Sequence, residues 1–148
     1  MAKDLASRRR QEMIEALRAG GHRLTPQRLA VVDILAQSEN HPSVEEVFRR
    51  VRRDFPTTSL ATIYKTVSLL KQMDQVLELG FAHWGSRYDG KKPFAHPHVI
   101  CTRCGAIADP EYPGMQKLAQ EMAKKSGFRI SHHRLDFFGL CPRCQRRS

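Results

Sequence analysis

The sequence has no apolar run long enough to cross a bilayer. Its longest, Leu29–Leu35, is already broken by Asp33, far short of the roughly 20 apolar residues of a membrane span. Arg8–Arg9–Arg10 leads into Gln11 and Glu12 instead of an apolar core, so no secretory signal is expected. No membrane association is expected, and a cytoplasmic location is. Cysteine is scarce, with four in 148 residues, and a chain of this size folds without disulfides because it buries roughly two thirds of its unfolded surface. Acidic residues are also short, 15 Asp+Glu against 25 Lys+Arg, leaving a formal charge of +10 with His neutral. Such an excess suggests a polyanionic partner, nucleic acid or an anionic membrane, or else serves solubility alone. A hydrophobic content of 41% with 27% charged residues fits a folded globular chain rather than a disordered one.

What is present divides in two. Residues 5–19 read as a helix stopped by Gly20–Gly21. Thr25–Pro26 opens a second, Thr as cap and Pro at the first helical position, with Leu29, Val32 and Leu35 as its stripe. Ser43 and Glu46 have capping-box spacing for a third, whose Val44, Val47, Phe48 and Val51 share one face. Ser59 caps a fourth, with Leu60, Ile63, Val67 and Leu70 facing inward. Val76–His83 alternates as a strand, Trp84–Ser86 turns, and Arg87–Asp89 returns beside it. Helices followed by such a hairpin read as a winged helix-turn-helix domain. Gly90–Pro93 reads as a hinge. Beyond it, His98–Cys101, Ala106–Asp109, Phe128–Ile130 and His133–Leu140 read as strands, with a helix striped by Met115, Leu118 and Met122 and ending at Gly127. The expected fold is therefore α+β: a winged-helix domain over residues 1–88 and a small α+β domain over 89–148.

All four cysteines fall in two C-x2-C pairs, Cys101/Cys104 and Cys141/Cys144, separated by 36 residues. Each pair presents two sulfurs from a tight turn, and four thiolates complete a tetrahedral Zn²⁺ shell with no open position. A structural zinc is the first reading. Iron in a four-thiolate electron carrier and dithiol–disulfide chemistry are the competing ones. A zinc deaminase is not expected, because the H-x-E element is absent.

Other candidates carry less information by themselves. His96 and His98 form H-x-H and share a face if extended; a ligand pair and a structural role are evenly balanced. Cys101 has the opposite parity, so the His pair and the Cys pair look like separate sites. His41 before a capped helix, and Asp89 and Asp109 at strand ends, read as ordinary surface or turn residues. The outer face of the fourth helix, with Ala61, Thr62, Lys65 and Ser68 and with Tyr64 at its flank, is short-chained, polar and basic. A helix entering a DNA groove needs such a face; the bland alternative is a solvated one.

Together these residues resemble the ferric uptake regulator superfamily of bacterial metal-dependent transcription factors, from about Gly21 to Gln145. The resemblance rests on Arg23-Leu24-Thr25-Pro26-Gln27-Arg28, His41-Pro42-Ser43-Val44-Glu45-Glu46, Ala61-Thr62-Ile63-Tyr64-Lys65, Ser86-Arg87-Tyr88-Asp89, His96-Pro97-His98-Val99-Ile100-Cys101 and Phe138-Gly139-Leu140-Cys141-Pro142-Arg143-Cys144. Within it the chain looks most like the peroxide-responsive repressors, a likeness that Ser131-His132-His133-Arg134-Leu135-Asp136 shares. Iron sensors more often have Glu at the positions of Asp89 and Asp109.

The resemblance implies a non-enzymatic homodimeric repressor with the second domain as dimer interface. It implies a regulatory Fe²⁺ or Mn²⁺ held by His41, Asp89, His96, His98 and Asp109, with Glu111 as a competitor for the last place. His41 and His96 would be the imidazoles oxidised when Fe²⁺ meets hydrogen peroxide. It implies an A·T-rich palindromic operator in double-stranded DNA, met by Ser59, Thr62, Tyr64, Lys65 and Ser68, with Arg23 at the backbone or minor groove. No small-molecule substrate is expected other than peroxide as a signal. Arg8–Arg9–Arg10 would add phosphate contacts or be disordered. An iron-responsive or other divalent-metal regulator of the same superfamily is the alternative, and a zinc-ribbon interaction module the alternative of another class.

Overall fold

A computed structural model describes residues 1–81 and 85–147. They form α1 (Ala2–Ala19), α2 (Pro26–Gln37), α3 (Val44–Asp54), α4 (Leu60–Gln72), β1 (Leu77–Phe81), β2 (Gly85–Asp89), β3 (His98–Cys101), β4 (Ile107–Ala108), α5 (Met115–Ser126), β5 (Asp136–Gly139) and α6 (Pro142–Gln145). The chain separates into two compact units, Met1–Phe94 and Ala95–Ser148. No helix among the described residues is long and apolar enough to cross a membrane.

In the first unit the helix starts follow local chemistry. Thr25 Oγ1 accepts from the Arg28 amide, Ser43 Oγ from the Glu46 amide and Ser59 Oγ from the Thr62 amide. Each satisfies one of the orphan amides of a helix's first turn, worth about 1 kcal/mol. Gly21, at φ 74°, takes the left-handed conformation that ends α1. The four helices bury one core of Met13, Leu17, Val31, Val32, Leu35, Val47, Val51, Ile63 and Leu70. On α4 the buried set is Ile63, Thr66, Val67 and Leu70. Leu60, expected inside, is 38% exposed. It sits in the first turn of α4, while Thr66 is accommodated by bonding its hydroxyl to Thr62 O. β1 and β2 pair antiparallel from Leu77↔Asp89 to Phe81↔Gly85. The rest of the expected hairpin, Ala82, His83 and Trp84, lies outside the described residues.

Two sequence expectations change at the ends of this unit. The Arg8–Arg9–Arg10 segment is not a tail: α1 begins at Ala2, and Arg9 is 6% exposed. Its Nε donates to Gly90 O at 2.9 Å and its Nη2 to Gln75 O at 2.7 Å, while Nη1 pairs with Glu12. Arg10 Nε meets Asp33 Oδ1 at 2.5 Å. A buried guanidinium stays only when its donors are matched, and these two carbonyls lie far away in sequence. Residues 89–94, grouped with the second half from sequence, pack with the first: besides the Arg9 bond, Lys91 Nζ pairs with Glu39 at 3.1 Å. Gly90 is required there, since a Cβ would lie 2.6 Å from Leu35 O. Arg9→Met leaves the Gly90 and Gln75 carbonyls without their donor. It is expected to cost the first unit about 3 kcal/mol, read as a lowered urea midpoint by circular dichroism.

The second unit is a three-stranded sheet in the order β4-β3-β5, with β3 antiparallel to β4 and parallel to β5. α5 ends in Gly127 at φ 72°, with its amide on Ala123 O, and α6 follows Cys141. Phe128–Ile130, expected as a strand, is not one: it has no ladder partner among the described residues, and Phe128 is 75% exposed. The strand expected over His133–Leu140 shrinks to Asp136–Gly139, the stretch that β3 can pair. The stripe expected on α5 divides. Met115 is buried, but Leu118 and Met122 are exposed, as are Phe137, Phe138 and Leu140.

Candidate metal centres and nucleic-acid interface

The two C-x2-C pairs converge. Cys101 ends β3 and Cys104 follows in the turn before β4, closed by the Gly105 amide on Cys101 O. Cys141 and Cys144 flank the first turn of α6. One sulfur from each lies within 4.8 Å of every other, and Cys104 Sγ is 3.8 Å from Cys141 Sγ. None is in a disulfide. Tetrahedral zinc with Zn–S bonds near 2.3 Å sets its sulfurs about 3.8 Å apart, so the four thiols fit Zn²⁺. Backbone amides of Cys104 and Cys141 lower the Cys101 thiol to about 6, and the Ala106 amide lowers that of Cys104. Burial, then the neighbouring thiols, pushes Cys144 up to about 12. Amides aimed at sulfur favour the thiolate, the form that ligates metal.

The His and Asp candidates form two further groups, one in each unit. In the first, His41 Nε2 is 3.1 Å from Asp89 Oδ2, with both side chains at most 5% exposed. His41 has φ 49°, a left-handed backbone uncommon outside glycine. β2 holds it there: Arg87 donates to His41 O and to Asn40 O, and the Tyr88 amide donates to Pro42 O at 3.0 Å. Asp89 Oδ1 accepts from the Lys91 and Lys92 amides at 2.9 and 3.0 Å. That turn leaves Oδ2 aimed at the imidazole. In the second unit, Asp109 Oδ1 lies 3.6 Å from His96 Nε2 and 3.4 Å from His98 Nε2. The two rings sit 4.3 Å apart at 48°. His96 precedes β3 instead of lying on it, so the two imidazoles converge by a loop and not by strand parity. Glu111 is exposed and outside this group. Neutral imidazoles with carboxylate oxygens are a donor set suited to Fe²⁺ or Mn²⁺.

Ser59 caps α4 and, like Tyr64, Lys65 and Ser68 on that helix, is exposed; Thr62 is half-buried, and Arg23 is exposed ahead of α2. Arg23, Thr62 and Lys65 line an open cleft of about 350 Å³ with His22, Thr25 and Arg28. Arg28 and Thr25 escaped the sequence reading as candidates, because the motif that contains them reads locally as a helix cap. Tyr64 Oη donates to Glu45 Oε1 at 2.9 Å, and that carboxylate raises its pKa.

The sequence matches the ferric uptake regulator family over residues 19–138. The chain belongs to the ferric uptake regulator family. It is 35% identical over 143 residues to the peroxide operon regulator of Bacillus subtilis (strain 168), covering 97% of this chain and 98% of that protein. It is 38% identical over 135 residues to the peroxide-responsive repressor PerR of Staphylococcus saprophyticus, covering 91% and 90%. Its fold is similar to that of the Helicobacter pylori ferric uptake regulator, with a TM-score of 0.75, 26% identity and coverage of 98% and 94%. Against this family, the buried His41–Asp89 pair and the His96–His98–Asp109 group stand at the positions that the resemblance assigns to metal.

Proposed function

We propose that this ferric uptake regulator family member is a dimeric, metal-dependent transcriptional repressor that releases DNA when hydrogen peroxide oxidises it. The observation that carries the reading is the concentration of buried imidazole and carboxylate: His41 with Asp89 in one unit and His96, His98 with Asp109 in the other. Buried ionisable groups in such number are costly unless they serve a ligand. Cys101, Cys104, Cys141 and Cys144 hold structural Zn²⁺. His41, Asp89, His96, His98 and Asp109 jointly hold Fe²⁺ or Mn²⁺. Because these five divide between two units, their joint ligation selects one arrangement of the dimer, whose α4 helices reach successive major grooves roughly 34 Å apart.

The chain supplies the rest. Exposed Leu118, Met122, Phe137, Phe138 and Leu140 are apolar side chains that a second copy of the chain would cover. Arg23, Ser59, Thr62, Tyr64, Lys65 and Ser68 meet the duplex, a palindromic A·T-rich operator, with Lys65 and Arg23 on phosphates or base edges and Tyr64 on thymine methyls. Fe²⁺ held there would catalyse oxygen transfer from hydrogen peroxide, one oxygen going to a ring carbon of an imidazole and the other leaving as water. His41 and His96 are the imidazoles that gain an oxygen, and an oxidised imidazole no longer offers the lone pair that held the closed dimer.

The test compares zinc-only, Fe²⁺-loaded and Mn²⁺-loaded protein in operator gel shifts before and after peroxide, with mass spectrometry of each. Both loaded forms should bind operator DNA at least 10-fold more tightly than the zinc-only form. Peroxide should abolish binding only with iron, adding one oxygen to His41 or His96. Equal affinity with and without regulatory metal would sink the reading; oxidation confined to cysteine would sink its peroxide part.

A further inference from the structure

Asp136 is not among the metal ligands considered so far, and the stretch Ser131–Asp136 has had no role beyond its likeness to the peroxide-responsive subgroup. We propose that Asp136 is a positioning residue for the regulatory metal, acting through His98. The proposal rests on the metal site assigned above.

The parallel pairing of β3 and β5 sets His98 directly beside Asp136. Facing residues of neighbouring strands project from the same side of a sheet. His98 is 1% exposed, and a carboxylate oxygen lies near each of its two nitrogens. Nε2 looks toward Asp109 Oδ1 at 3.4 Å, and Nδ1 looks toward Asp136 Oδ1 at 3.7 Å. The second oxygen of Asp136 is engaged by Arg134 Nε at 2.6 Å. The carboxylate is itself only 13% exposed. Asp136 thus presents one oxygen to an arginine two residues away and the other to the imidazole.

A neutral imidazole has one N–H and one lone pair. For Nε2 to ligate, the proton must be on Nδ1. A carboxylate opposite Nδ1 favours that tautomer, sets the plane of the ring and raises the basicity of the ligating nitrogen. Arg134 in turn fixes which way the carboxylate faces. The sheet pairing, absent from any local reading of the sequence, is what brings the three groups into line.

The experiment uses the full-length zinc-loaded chain as wild type and as Asp136→Asn, Asp136→Ala and Asp136→Glu. Mn²⁺ alone is titrated by calorimetry. Zinc content and the melting temperature without Mn²⁺ are measured alongside, and the His98 ring nitrogens are observed by long-range ¹H–¹⁵N correlation without Mn²⁺. Asp136→Asn and Asp136→Ala should weaken Mn²⁺ about 10- to 100-fold, with zinc content and melting unchanged, and Asp136→Glu should recover part of the loss. The wild-type spectrum should show the proton on Nδ1 of His98, and Asp136→Asn should shift that balance. Should Asp136→Ala fail to fold, the nearly isosteric Asn variant carries the test. Lowered melting with unchanged Mn²⁺ affinity would make Asp136 merely structural and overturn the proposal, as would an unchanged His98 tautomer. Wild-type protein that binds no Mn²⁺ overturns the regulatory site itself; wild type and Asn variant binding equally well overturns only the role of Asp136.

Discussion

Cys104→Ser is expected to unfold the second unit and leave the first intact. The two units differ in what holds them. The first has a continuous core of four helices closed by Tyr88 of β2. Among the described residues, the buried apolar side chains of the second are Ile100 and Met115 together with Cys101 and Cys144, two of the four thiols themselves. Ile100 and Met115 alone make a small core for a unit spanning Ala95–Ser148. A four-thiolate zinc contributes on the order of 10 kcal/mol of folding free energy in small domains, so the second unit depends on it. Cys104 is the thiol to change because it is exposed; Ser fits there without strain, and only the ligand is lost. Hydrogen exchange read by mass spectrometry should show protection lost over residues 95–147 and retained in α1 to α4. Size-exclusion chromatography should show the dimer replaced by monomer. A strong chelator should reproduce both effects in the wild type. Retained protection in the zinc-free second unit would mean that the thiols are not its main support.

How much of this was legible in the sequence depended on the range of the interaction. The starts of α2, α3 and α4 were legible because Thr25, Ser43 and Ser59 cap amides three residues on, and the end of α5 because Gly127 alone tolerates its φ. Zinc was legible from two C-x2-C turns, since spacing within each pair already dictates a common sulfur target. Interactions between distant residues were not. Arg9 read as part of a basic tail because its partners, Gly90 and Gln75, lie 81 and 66 positions away. Phe128–Ile130 had the composition of a strand but pairs with no strand among the described residues, and Leu60 fitted the stripe of α4 but is exposed in its first turn. The regulatory residues show the same division. His41 and Asp89, 48 positions apart, are bland residues one at a time and became candidates only through the family's pattern. Asp136 needed the sheet register as well.

His96→Ala should reduce operator binding in the presence of Mn²⁺ to the metal-free level without unfolding the protein. The side chain is 9% exposed and lies in the loop before β3, not in the ladder. Its loss removes no strand pairing, so circular dichroism and zinc content should match wild type. What it removes is one of the three imidazoles proposed to hold the regulatory metal. Losing even an outer partner of a metal ligand commonly costs 10- to 100-fold in affinity, and losing the ligand should cost at least 100-fold. In the proposed switch, metal-binding energy closes the dimer. At Mn²⁺ concentrations that just saturate the wild type, a site weakened at least 100-fold stays almost empty, so the variant's operator affinity should fall to nearly that of the zinc-only protein. Raising Mn²⁺ about 100-fold should restore part of it, since His41, Asp89, His98 and Asp109 remain. That partial rescue separates lost ligation from a lost DNA surface, because a damaged reading helix would not respond to metal. Full operator affinity in the variant at ordinary Mn²⁺ would exclude His96 from the switch.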